Sequence, residues 1–175
     1  MHKFTVRDLT LAAMVAALYA VMGYFGSIFG LTFGPVQCRF AEALTVLPFV
    51  FPAAAPGLVV GCFLTNLLSL YGPLDVVFGT LATAIAAWLT MKMPRWYLAA
   101  LPPILVNAVI LPPIWAWTEV GAVNPAFWAA CGFNAGTFIP GEALACYVLG
   151  TLLLFTLPKV PVLRSYTQKQ GLARI

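Results

Sequence analysis

The sequence predicts an all-α integral membrane protein, a bundle of six transmembrane helices with both termini in the cytoplasm. Three observations carry this. Hydrophobic residues make up 62% of the 175 residues and charged residues only 8%, with a mean hydropathy of +0.97. A water-soluble domain has about 25% charged residues, so this chain lacks the charge to cover a wet surface. The charges that exist leave long stretches clear: between Asp8 and Lys92 only Arg39, Glu42 and Asp75 are charged, and between Arg95 and Lys159 only Glu119 and Glu142. Finally, eight of the nine basic residues form three groups, which a six-span topology places on one side of the bilayer. This composition excludes a soluble enzyme, a nucleic-acid-binding domain and a disordered segment.

A spanning helix needs about 20 apolar residues, so the first stretch holds about four helices and the second about two with a longer connection. Helix breakers set the bounds. The first helix is expected over about 4–29, ending near Gly30 and Gly34-Pro35. The second is expected over about 37–53. The turn Ala54-Ala55-Pro56-Gly57 leads into a third, about 56–70, which stops at Tyr71-Gly72-Pro73. The fourth is expected over about 75–91, and the link Lys92-Met93-Pro94-Arg95 precedes a fifth over about 98–118. A sixth is expected over about 138–157, opening near Pro140, followed by a tail over 158–175. Pro48, Pro52, Pro102, Pro103, Pro112 and Pro113 should kink or break spans, which a membrane bundle tolerates where neighbours satisfy the freed backbone groups. The chain reads as one transmembrane domain, without inverted halves and without a cleavable leader.

Lys3 and Arg7 precede the first helix, Lys92 and Arg95 join the fourth to the fifth, and Lys159, Arg164, Lys169 and Arg174 follow the sixth. Lys and Arg concentrate in cytoplasmic loops, so this side is read as the cytoplasm. Five charges take no part in orientation: Arg39, Glu42, Asp75, Glu119 and Glu142, all expected near outer helix ends. An ionisable residue in or beside a span is costly and marks a candidate site. Each also has a plainer reading. Asp75 and Glu142 suit helix N-termini, Glu119 suits a wet loop, and Arg39 and Glu42 share a helix face and suit a mutual pair. Asn66, Asn107 and Asn134 fit either a polar site or interhelical hydrogen bonding. Trp115, Trp117 and Trp128 fit either an interfacial aromatic belt or a stacking surface for a flat ligand.

Together these groups suit a small, planar, polar ligand, because a carboxylate can accept two parallel N–H bonds from a guanine-like edge and a second can neutralise an amine. The chemistry is that of binding. The sole histidine is His2 and there is no Walker A motif, so no catalytic group, metal site or ATP-hydrolysing function is assigned to the chain. The cysteines, Cys38, Cys62, Cys131 and Cys146, form no CxxC pair and read as small buried hydrophobes. On the first helix Ala12, Ala16 and Ala20, and likewise Ala13 and Ala17, recur every four residues. That spacing lets a helix approach closely, either within this bundle or from another protein.

These features resemble the substrate-binding S components of energy-coupling factor (ECF) transporters. More specifically, Gly34-Pro-Val-Gln-Cys-Arg-Phe-Ala-Glu-Ala-Leu-Thr-Val-Leu-Pro48 looks like the signature of the queuosine-precursor family, QueT. The runs Pro52 to Asn66, Asp75 to Thr83, Pro102 to Asn107 and Gly141-Glu142 are similar to it too, so the resemblance covers about residues 5–157. The Trp-rich segment from Trp115 to Asn134 departs from the pattern. The resemblance implies capture of a 7-deazaguanine (7-aminomethyl- or 7-cyano-7-deazaguanine, or queuine) at the outer face of the plasma membrane. It implies docking on a transmembrane T subunit and two ATP-binding subunits, whose ATP hydrolysis topples the S component. Arg39, Glu42, Asn107 and Glu142 are then the expected core of the ligand site, with Asp75, Glu119 and Asn134 around it. Ala12, Ala13, Ala16 and Ala17 are the expected partner interface. The rival readings are an S component for another vitamin-like molecule, and a membrane enzyme or structural subunit.

Overall fold

A computed structural model describes residues 5–30 and 39–160, and the regular structure there is entirely helical. His2, Lys3, the Gly34-Pro35 turn, Cys38 and the tail residues Arg164, Lys169 and Arg174 lie outside these residues.

Helix α1, Val6–Ile28, begins at a capping box. Asp8 donates its backbone N–H to Thr5 Oγ1 at 3.3 Å, and Thr5 returns its own N–H to Asp8 Oδ2 at 2.9 Å, which satisfies two orphan donors of the first turn. Its 23 residues rise about 35 Å at 1.5 Å each, enough to cross a bilayer core. The second element is shorter than the expected helix over 37–53. It is a 3₁₀ helix, Phe40–Phe49, with Pro48 inside it. Every residue from Ala41 to Phe49 is buried, so this segment is the axis around which the other helices pack. Proline removes a helical N–H, and after Pro48 the chain turns, with the Val50 and Phe51 N–H groups both donating to the Leu47 carbonyl.

Helix α2, Ala54–Asn66, also stops short of the expected 70. Its C-terminus unwinds through Leu67 to Tyr71, and Gly72 takes φ +67°, a conformation open to glycine. Pro73 then opens helix α3, Pro73–Thr90, at its first position. Helices α1 and α2 pack backbone to backbone: a Cβ on Gly57 would fall on the Ala12 carbonyl oxygen, and one on Gly61 would lie 2.7 Å from Tyr19 Cβ and 2.9 Å from the Ala16 oxygen. Ala12 and Ala16 therefore face α2, whereas Ala13 and Ala17 point outward.

After the short 3₁₀ turn Trp96–Leu98, helix α4, Leu101–Val120, carries Pro102 and Pro103 in its first turn, where no N–H is missed. Pro112 and Pro113 sit inside it without ending it. Gly121, at φ +72°, caps its C-terminus by donating to the Trp117 carbonyl at 2.8 Å. The next helix corrects the expected long outer connection. Helix α5 begins at Pro125, not near 138, and runs to Ala143. Asn124 caps it by accepting the Phe127 N–H at 3.0 Å, and Pro125 occupies the first position. Pro140 lies inside the helix, and Glu142 is an interior residue rather than a helix opener. A π-helical segment, Leu144–Gly150, continues α5 into α6, Thr151–Thr156.

Among the described residues, four helical stretches are long and apolar enough to cross a membrane: Val6–Ile28, Pro73–Thr90, Trp96–Val120 and Pro125–Thr156; Phe40–Phe49 and Ala54–Asn66 are shorter. The bundle is inside-out by the standards of a soluble protein. Leu9, Met14, Phe25, Leu105, Val109 and Phe133 are exposed, while Arg39, Glu42, Asp75 and Glu142 are buried. Contiguous exposed apolar surface on this scale is found where lipid, not water, is the solvent.

Candidate functional site: a buried polar cluster

Two facing helical stripes build the site. On α4, Asn107, Leu111 and Trp115 recur every four residues and are buried; on α5, Asn134, Phe138 and Glu142 do the same. Residues four apart share a helix face, and α4 and α5 run antiparallel, so the stripes meet in reverse order. Asn107 Nδ2 donates to Glu142 Oε1 at 2.7 Å. Trp115 packs edge-on against Phe138, with ring centroids 5.3 Å apart. Asn134 Nδ2 reaches both oxygens of Glu119, at 3.2 and 3.3 Å.

The 3₁₀ axis brings Arg39 and Glu42 against these stripes. Arg39 lies 3.7 Å from Asp75 Oδ2, with its guanidinium 5.4 Å from the Trp115 ring and 6.0 Å from the Phe138 ring, within the range of cation–π attraction. Asp75 is held from three sides: Ser69 Oγ donates to Oδ2 at 2.6 Å, Trp115 Nε1 donates to Oδ1 at 3.0 Å, and Arg39 supplies the charge. Trp115, fully buried, also stacks on Tyr71 at 5.2 Å and 23°. The Tyr19 hydroxyl of α1 donates to Glu42 Oε1. The Cys146 thiol, one turn beyond Glu142, donates to the Glu42 carbonyl at 3.5 Å, which fixes the axis against the helix that carries Glu142.

What this network leaves undone defines its chemistry. Glu42 Oε2, Glu142 Oε2 and Asn107 Oδ1 are buried with no hydrogen-bond partner. All three accept hydrogen bonds, apart from any proton a carboxyl itself carries. Burying a polar atom without a partner costs about 1–3 kcal/mol, a cost that a molecule bringing hydrogen-bond donors to these three acceptors would relieve. Thr80 Oγ1 on α3 is also buried without a partner.

Of the sequence-predicted residues, the structure gathers Arg39 with Asp75 and Asn107 with Glu142, and seats Glu42 against the helix of Glu142. It separates Glu119: this residue is exposed and pairs with Asn134 beyond Trp115 and Phe138. Sequence reasoning missed Tyr19, Ser69, Tyr71 and Phe138. Tyr19 lies 23 positions from its glutamate, and Trp115 lies 40 positions from Asp75. No local spacing announces such contacts, although the four-residue repeat ending at Glu142 does point to Phe138. Among the described residues, no group of three or more His, Cys, Asp or Glu side chains is placed to hold a metal.

The fold defines a multi-pass membrane protein that encloses a cluster of polar and charged side chains between its helices. Residues 9–159 match the family described as QueT transporter, and the chain belongs to that family. Over 85 residues it is 31% identical to the "Queuosine precursor transporter QueT" of Lactococcus lactis subsp. cremoris (strain MG1363). That alignment covers 49% of this chain, and the chain spans about half (50%) of the relative's length. No solved structure matches the chain.

Proposed function

We propose that this protein is the substrate-capture subunit, or S component, of an ECF-type importer in the plasma membrane, and that its ligand is a 7-deazaguanine queuosine precursor. The observation that carries the reading is the set of bare acceptors on Glu42, Asn107 and Glu142. A 7-deazaguanine offers adjacent donors, the ring N–H and the exocyclic amine, that match a carboxylate. An aminomethyl substituent adds a cation for the second carboxylate. Arg39, Asp75, Trp115 and Phe138 close the same cluster with charge and flat surface. In this reading Glu119 and Asn134 lie beside the path to it.

The chain crosses the membrane six times in this proposal, with Phe40–Phe49 and Ala54–Asn66 as the two short crossings and both termini in the cytoplasm. It uses no cofactor. ATP is hydrolysed by two partner subunits, which with a transmembrane T subunit topple the loaded bundle and release the ligand inward. Ala13 and Ala17 form the part of the alanine pattern available to the T subunit, since Ala12 and Ala16 are turned toward α2.

Calorimetry on the purified protein in detergent, with 7-aminomethyl-7-deazaguanine, its 7-cyano analogue, queuine and guanine, tests the ligand class. Tight binding of a deazaguanine and weak binding of guanine is the expected result. A folded protein that binds none of the four rejects it.

A further inference from the structure

Each glutamate of the cluster has one oxygen tied by a protein donor and the other bare. For Glu142 the donor is Asn107, on the helix opposite. For Glu42 it is the hydroxyl of Tyr19, on α1. Tyr19 is only 2% exposed, and its Cβ lies so close to Gly61 that a side chain there would collide with it, so the ring has little room to move. Glu42 is 1% exposed and its Oε2 has no partner. A phenol O–H has one proton to give, and here it is given to Oε1.

We infer that Tyr19 is a specificity-determining positioning residue: by donating to Glu42 Oε1 it fixes which oxygen is spent inside the protein and holds Oε2 as an acceptor for a ligand N–H. The inference rests on the proposed ligand-binding role of the cluster and gives a positioning role to a residue outside the expected site. Tyr19 touches Glu42, not the ligand. Its influence passes through the orientation of the group at position 42.

The orientation makes a sharp test possible. In Glu42→Gln, with the Tyr19 hydroxyl remaining the donor as it is to Glu42, the amide gives its carbonyl to that hydroxyl and turns its NH2 toward the ligand donor. Two donors then face each other, and affinity falls on the order of 100-fold. Tyr19→Phe keeps the ring packed against Gly61 and removes only the hydroxyl, for a loss of about 10-fold. In the double variant the amide is free to flip and present its carbonyl to the ligand, so binding recovers about 10-fold over Glu42→Gln alone.

The experiment is calorimetry with 7-aminomethyl-7-deazaguanine on wild type, both single variants and the double variant, each shown folded by its thermal melt in detergent. Partial rescue of Glu42→Gln by Tyr19→Phe supports the inference, because a packing role would make the two losses add. Additive losses, or a Tyr19→Phe protein that binds like wild type, overturn it while leaving the ligand class standing. Failure of the wild type to bind overturns the ligand reading itself and with it this inference.

Discussion

Asn107 and Glu142 are joined by one short hydrogen bond, 2.7 Å from Nδ2 to Oε1, and each keeps a second polar atom, Oδ1 and Oε2, buried and unmatched. A buried polar atom left without a partner costs stability. This pair spends one bond on α4–α5 packing and holds two acceptors in reserve. Glu142→Gln should therefore weaken ligand binding on the order of 100-fold, while the melting temperature of the unliganded protein stays within a few degrees or rises. An amide retains the bond geometry but offers donors where acceptors are wanted. Calorimetry and a thermal melt on the same preparation check both parts.

Asp75 should prove more structural than Glu142. Its carboxylate is satisfied by Ser69, Trp115 and Arg39, so removing a donor leaves a buried oxygen uncovered. Trp115→Phe is expected to destabilise the unliganded protein by about 1–3 kcal/mol, read as a lower melting temperature, and Ser69→Ala by a similar or smaller amount. Equal melts for wild type and Trp115→Phe would contradict the assigned bond.

The α1–α2 contact separates two kinds of small residue. Gly57 and Gly61 admit no Cβ without displacing α1, so Gly61→Leu should lower stability by about 1–3 kcal/mol or prevent folding. Ala13 and Ala17 are exposed. Leucine at both positions should leave the melt and ligand affinity unchanged and stop uptake in cells that carry the ATP-driven module. Normal uptake by that double variant would move the partner surface elsewhere.

Thiol accessibility offers a check on the interior. Cys62 is 1% exposed and Cys146 is fully buried, whereas Cys131 on α5 is partly exposed. In a Cys38→Ser background, a small maleimide in detergent should modify Cys131 first and the other two only after unfolding. Mass spectrometry of peptides over time reads the order.

The membrane class and the main polar residues were legible because a charge is expensive in an apolar chain. Arg39, Glu42, Asp75 and Glu142 stand out in the sequence for the reason that they are costly in the fold. Long periodic helices were legible too, as for α1 and α3. α5 starts well before the helix expected over about 138–157, although its signal is plain: Asn124 followed by Pro125 is a capping residue before a favoured first position. Proline usually punctuates, which makes Pro140 read as a beginning, yet in this packed bundle it sits inside the helix. The 3₁₀ axis could not be read from residues that also fit an α-helix. Its residues Ala41 to Phe49 are buried, and Pro48 lies within it. Tyr19 and Ser69 were invisible for another reason, since each acquires its role only when distant segments meet.

In the proposed function, the bare acceptors of Glu42, Asn107 and Glu142 are the ligand site. The most direct measurement is an experimental structure of the protein with the tightest-binding deazaguanine. Ligand N–H groups are expected within hydrogen-bond distance of Glu42 Oε2 and Glu142 Oε2, with the ring beside Trp115 or Phe138. A ligand bound elsewhere, with those three acceptors still unmatched, would contradict that assignment.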